Sequence, residues 1–275
     1  MEAVNGGDTA WVLTSTALVL VMTPALAFFY GGMVRKKNVL STLNLSFVLV
    51  ALIGAQWVLY GYSLAFGPDV AGLVGTLRFL GFAGVGSEPS RYAPTIPHIA
   101  FAAFQMMFAI ITPALITGAF VERVRFGAFL VFSLLWATFV YDPVCHWVWG
   151  EGGMLRAIGA LDFAGGTVVH ISAGFSALAF AAVIGPRRGF GRTAIEPSSI
   201  PFSVLGAGLL WMGWFGFNGG SALSANGLAA HAVVTTNTAA AAAGLVWMAL
   251  SWRDKRPSVL GIVTGAVVGL VAITP

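Results

Sequence analysis

In this chain of 275 residues, 58% are hydrophobic and only 9% carry charge. A soluble domain carries about 25% charged residues, so too little charge is present here to cover a water-facing surface. The formal charge of +4 is split among short basic clusters at the ends of apolar runs, a distribution that argues against a nucleic-acid face. The composition defines an all-α, polytopic membrane helix bundle, and the 35 glycines and nine tryptophans suit close helix packing with interfacial anchors.

Eight apolar segments are long enough to cross a bilayer, and together they form one integral domain over 1–275. The first, 10–33, follows a tail that has acids and no basic residue, so no secretory signal is read there. It ends in FYGGM ahead of Arg35, Lys36 and Lys37. The second, 39–66, leads into a Gly- and Pro-rich loop, 67–96, expected to fold over the surface. The third, 97–121, contains ITPAL and precedes Arg123 and Arg125; the fourth is 126–147. The fifth, 164–185, precedes Arg187, Arg188 and Arg192, in a loop whose Gly-x-Gly follows no strand and so binds no dinucleotide. The sixth, 199–218, ends in FNGGS. The seventh, 228–252, precedes Arg253, Lys255 and Arg256, and the eighth, 257–275, closes on ITP.

The four basic clusters follow spans 1, 3, 5 and 7, so those ends are expected in the cytoplasm and the N-terminus outside. FYGGM and FNGGS, on opposite sides of the membrane, together with the two ITP runs, suggest an inverted repeat whose second copy has three helices instead of five. The single cysteine, Cys145, leaves no intrachain disulfide, and no metal-ligand spacing occurs.

Ionisable groups at bilayer depth are costly and mark candidate pathways. Asp162, just ahead of the fifth span in LDFAGGTVVH, reads as an N-cap accepting from first-turn N–H groups; a fixed negative charge for a nearby cation is compatible with that. His170 lies eight residues further, about 12 Å deeper along a helix. Three readings stand for it: a satisfied core residue, a haem ligand lacking a mid-span partner, and, favoured, a neutral imidazole lining a narrow channel. His98, His146 and His231 lie near outer helix ends, where satisfied interfacial histidines are expected. Phe104 and Phe108 share a helix face, and Trp149, Phe217 and Ser221 lie at outer ends of spans. Each reads singly as interfacial belt or core; together they are able to hold a small cation by cation–π attraction and a hydrogen bond.

FYGGMVRKKNVL, FQMMFAIITPALITGAFVER, LDFAGGTVVHISAG and GWFGFNGGSALSAN resemble the ammonium transporter family, with its related Rhesus-type proteins, in order along the chain. The resemblance implies a homotrimer with one hydrophobic pore per subunit. It places Trp149, Phe108 and Ser221 at an outer ammonium-recruitment site and Asp162 as the acid that positions and stabilises the cation. Phe108 and Phe217 match a phenylalanine pair above the pore, with Phe104 beside it, and His170 matches the first of two pore histidines. It further implies no cofactor and no catalytic residue, a plasma-membrane location, and a PII-type nitrogen-signalling protein docking on the cytoplasmic face. Family members normally have eleven spans, so the later helices and the second pore histidine are expected to be missing here. The expected function is recruitment and deprotonation of ammonium with ammonia conducted along His170. The alternatives are an ammonium-sensing membrane module and a non-conducting truncated remnant.

Overall fold

The computed structural model describes residues 4–254 and 256–274. Lys255, of the basic cluster after the seventh span, and Pro275 of the terminal ITP lie outside the described residues.

Eight helices appear where the hydropathy places them. Helix α1 is Gly6–Met33, started by the Asn5 side chain, which accepts from the N–H groups of Gly7 at 2.8 Å and Asp8 at 3.1 Å. Helix α2 runs Val39–Gln56, passes through a π-helical turn, Trp57–Gly61, and finishes as Tyr62–Phe66. Helix α3 is His98–Phe120. Helix α4 joins Phe126–Trp136 and Asp142–Trp149 through a second π-helical turn, Ala137–Tyr141. Helix α5 opens on a π-helical turn, Gly166–Ile171, and continues Ser172–Ile184. Helix α6, Ile200–Trp214, closes on another, Phe215–Gly219. Helices α7 and α8 are Gly227–Asp254 and Val259–Ile273. The eighth is shorter than the sequence reading: its 15 residues rise about 22 Å, and only the first seven are long enough by themselves to cross a bilayer.

Helices α1 and α6 form an antiparallel pair with a reciprocal contact. A Cβ on Gly32, at the end of α1, would overlap Ser199 and Ser203 at the start of α6. At the other end of α6, a Cβ on Gly219 would lie 3.1 Å from Trp11, and one on Gly220 2.7 Å from Ser15 Oγ, both near the start of α1. The two GG pairs that stood out in the sequence therefore play matching roles, each letting the end of one helix settle on the beginning of the other. Trp11 Nε1 donates to the Gly219 carbonyl at 3.0 Å, and Ser203 Oγ to the Phe29 carbonyl at 3.0 Å. Helix α3 runs through the middle of the bundle and is buried along most of its length.

The basic end is tied by Glu122, which turns the chain after α3 with φ of 63°. Its buried carboxylate accepts from Arg35 Nη2 at 2.6 Å and Nε at 3.0 Å and from Asn38 Nδ2 at 2.8 Å. Burial pushes this carboxyl up, but the bonds from Arg35 and Asn38 outweigh it and hold the group down at about 2.

At the other end, residues 67–96 fold as two antiparallel hairpins, β1 (Asp69–Val70) with β2 (Val74–Gly75) and β3 (Pro89–Ser90) with β4 (Ala93–Pro97). The loop lies over the surface and is anchored. His146 on α4 reaches the Ala65 carbonyl through Nδ1 and Asp69 Oδ1 through Nε2, each at 2.9 Å. Trp147 Nε1 donates to the Leu73 carbonyl at 2.7 Å, and burial against Phe66 and Phe101 raises the phenol of Tyr92, in the turn of the second hairpin.

Candidate functional site

Asp162 organises the mouth of the site. Its carboxylate accepts from the backbone N–H groups of Gly165, of Thr167 at 2.8 Å and of Val168 at 3.0 Å, which caps the opening turn of α5. Gly165 takes φ of 112°, a left-handed conformation that a side chain resists, and this lets the chain turn from Asp162 into the helix. The carbonyl of Asp162 also accepts from Trp149 Nε1 at 2.9 Å. One residue thus fixes both the start of α5 and the indole beside it.

A cavity of about 170 Å³ opens at this end, lined by Phe104, Gln105, Trp149, Asp162 and Ser221 among others. Ser221 Oγ donates its proton to the Phe217 carbonyl at 2.7 Å, leaving the oxygen lone pairs as acceptors. Below it the aromatic residues close ranks. Phe108 and Phe217 lie 4.4 Å apart by ring centroid at a 41° tilt; Phe104 meets Phe108 edge-on at 4.9 Å, and Trp149 meets it edge-on at 5.9 Å. Phe104, Phe108 and Phe217 are buried.

His170 sits on the other side of that pair. Its ring stacks on Phe217 at 5.8 Å and lies 5.5 Å from Trp214. It borders an interior cavity of about 100 Å³ whose other walls include Met22, Leu26, Ile111, Leu115 and Leu210. His170 Nε2 is buried with no hydrogen-bond partner among the described residues. On its far side the ring also borders a lateral apolar groove of about 400 Å³, between α5 and the end of α8. His170 is carried on the π-helical turn that opens α5, a local irregularity of the kind frequent at functional sites.

All seven residues singled out in the sequence therefore fall in one column from the mouth to the interior, with His170 beside open space and not in solid packing. His98 and His146 are buried and have partners: His98 contacts the Tyr62 hydroxyl, and His146 reaches the Ala65 carbonyl and Asp69. Exposed His231 borders a separate groove with Asn218.

Sequence reasoning missed three features. Tyr30 and Trp214 line the interior cavity, with Tyr30 OH donating to the Leu115 carbonyl at 3.0 Å. Gln105 lies on the mouth cavity. Asp142, fully buried within α4, accepts from Gln56 Nε2 at 2.7 Å. A carboxylate within an apolar span was the available signal for the last.

A bundle of membrane-length helices around an aromatic-capped, apolar interior, with the His170 imidazole unpartnered among the described residues, defines the class: a multi-pass membrane protein. The chain belongs to the Ammonium Transporter Family, which it matches over residues 10–275. It is 52% identical to the ammonium transporter Amt1 of Archaeoglobus fulgidus over 271 residues, 98% of this chain and 67% of that protein. It is 53% identical to an ammonium transporter of Bacillus subtilis over 270 residues, 98% of this chain and 66% of the relative. The crystal structure of Candida albicans Mep2 superposes with a TM-score of 0.92 at 39% identity, covering 99% of this chain and 61% of Mep2. The chain thus spans 61% to 67% of the length of these relatives.

Proposed function

We propose that the protein recruits ammonium at the mouth cavity, deprotonates it there, and passes ammonia through the interior cavity past His170. The observation that carries this reading is the unpartnered His170 Nε2 on an otherwise apolar wall, directly behind the Phe108–Phe217 pair.

Ammonium only donates hydrogen bonds, and the mouth suits it. The Trp149 N–H is spent on Asp162 and the Ser221 proton on Phe217, so an indole face and an oxygen acceptor are left facing the space. Asp162 contributes a fixed negative charge whose oxygens are already held by backbone N–H groups. Entry past Phe108 and Phe217 strips water from the cation, and desolvation favours the neutral form. Potassium has no proton to lose, so a dry bore rejects it by chemistry and not by diameter. Ammonia then finds in His170 a hydrogen-bonding group along an apolar path, and the proton follows by a separate histidine or water relay.

On the same reading the basic end faces the cytoplasm, the N-terminus lies outside, and the assembly is a homotrimer that offers its basic face to a PII-type regulator; the charge clusters and the family resemblance support this. The test is methylammonium uptake in a strain lacking its own ammonium transporters. Properly inserted protein that supports uptake, and loses it or its discrimination against potassium on His170→Ala, bears the proposal out. Absence of uptake by well-inserted protein defeats it.

A further inference from the structure

We propose that Gln105 is a direct ligand of the cation in the mouth cavity, a second oxygen acceptor beside Ser221; this rests on the recruitment reading above. Residues 101, 104, 105, 108, 111 and 115 of α3 recur at helical spacing, and Phe101, Phe104 and Gln105 line the mouth while Ile111 and Leu115 line the interior. Gln105 is the polar member of an otherwise apolar stripe that faces the conduit. It is more than nine-tenths buried, and its Oε1 has no hydrogen-bond partner among the described residues.

An amide oxygen buried without a donor is costly, and the cost is recovered when a donor arrives. None of the protein donors around this cavity reaches Gln105 Oε1. Trp149 Nε1 is held by Asp162 and the Ser221 hydroxyl by Phe217. Of the two arginines that border the space, Arg156 donates to the Trp149 carbonyl at 2.6 Å and Arg91 pairs with Glu151 at 3.6 Å. The missing donor is supplied by a small ion carrying several N–H groups. Such an ion places one N–H on Ser221 Oγ and another on Gln105 Oε1 while its charge rests on the indole face. Because a cation sheds hydrating water on entering, a second acceptor decides how much of that loss is made good.

The experiment is equilibrium binding of radiolabelled methylammonium to the full chain in lipid nanodiscs, for wild type, Gln105→Leu, Gln105→Glu and Trp149→Leu. Gln105→Leu, which keeps the bulk and removes the acceptor, is expected to weaken binding about tenfold, the worth of a hydrogen bond to a charged group. Gln105→Glu restores an oxygen and is expected to bind at least as well as wild type, a rescue that a packing role would not produce. Wild-type affinity in Gln105→Leu, with weakened binding in Trp149→Leu, overturns the Gln105 assignment and leaves the recruitment site standing. Wild-type affinity in both overturns the recruitment site and this inference with it. Should Gln105→Leu fail to insert, Gln105→Met replaces it: weakened binding supports the assignment and wild-type affinity overturns it.

Discussion

Two titratable side chains lie inside the bundle at comparable remove from its aromatic end, and their surroundings differ. His170 is eight residues beyond Asp162 at the mouth, and Asp142 is seven residues before Trp149 on α4. His170 has open space on both sides and an Nε2 with no partner. Asp142 is fully buried and borders neither the mouth cavity nor the interior cavity; its Oδ2 accepts from Gln56 across the α2–α4 contact, and its Oδ1 has no partner among the described residues. A polar group in a membrane is a functional candidate on cost alone. On the function proposed above, the deciding property is what lies next to the group: free volume beside His170, a neighbouring side chain beside Asp142.

The largest effect should come from the side that faces space. His170→Ala is expected to cut ammonia flux about a hundredfold, the low end of what a positioned proton-handling group contributes, while thermal stability in detergent stays near wild type. Equal flux in the two proteins would remove His170 from the path and dissolve the contrast. Trp149→Leu comes next. It takes away the indole face and its bond to the Asp162 carbonyl. Apparent affinity for methylammonium should fall about tenfold with maximal uptake retained, as expected for a lost cation–π contact. A change confined to yield or melting temperature would return Trp149 to the interfacial belt.

Much of this column was legible in the sequence, for particular reasons. Asp162, His170, Phe217 and Ser221 sit in short motifs whose residue types carry the chemistry, and the spans follow from hydropathy because the bilayer requires it. What stayed hidden depends on contacts distant along the chain. Gln56 and Asp142 are 86 positions apart, and nothing local announces their bond. The π-helical turns in α2, α4, α5 and α6 have no signature in hydropathy, yet the one in α5 carries His170. Gln105 was visible as a polar residue in an apolar stripe, but whether its oxygen is satisfied is a question only packing answers. The loop 67–96 looked like any Gly- and Pro-rich connection until His146, Trp147 and Tyr92 were seen to hold it.

Glu122 tests the packed side away from the membrane interior. Its folded value near 2 lies below its ordinary 4.5, so it contributes stability above about pH 4.5 that is lost as pH falls toward 2. Glu122→Gln should cost about 1–3 kcal/mol at neutral pH, seen as a lower melting temperature, through the weakened bonds to Arg35 and Asn38. The gap between variant and wild type should then narrow on acidification through that window. A gap independent of pH would mean that the charge of Glu122 is not what holds the basic end.

The smallest effect is expected at Asp142, and it is the sharpest check on the contrast. Asp142→Asn keeps the shape and an oxygen able to accept from Gln56 Nε2, so uptake and its pH profile should match wild type. Asp142→Ala instead leaves the Gln56 amide without its partner in a fully buried site, which should cost about 1–3 kcal/mol of stability and still leave affinity for methylammonium unchanged. The comparison breaks if Asp142→Asn, folded and inserted normally, alters flux or its pH dependence. In that event the carboxyl would be exchanging protons with the pathway through packing that holds no open space, and proximity to a cavity would no longer separate a working polar group from a structural one.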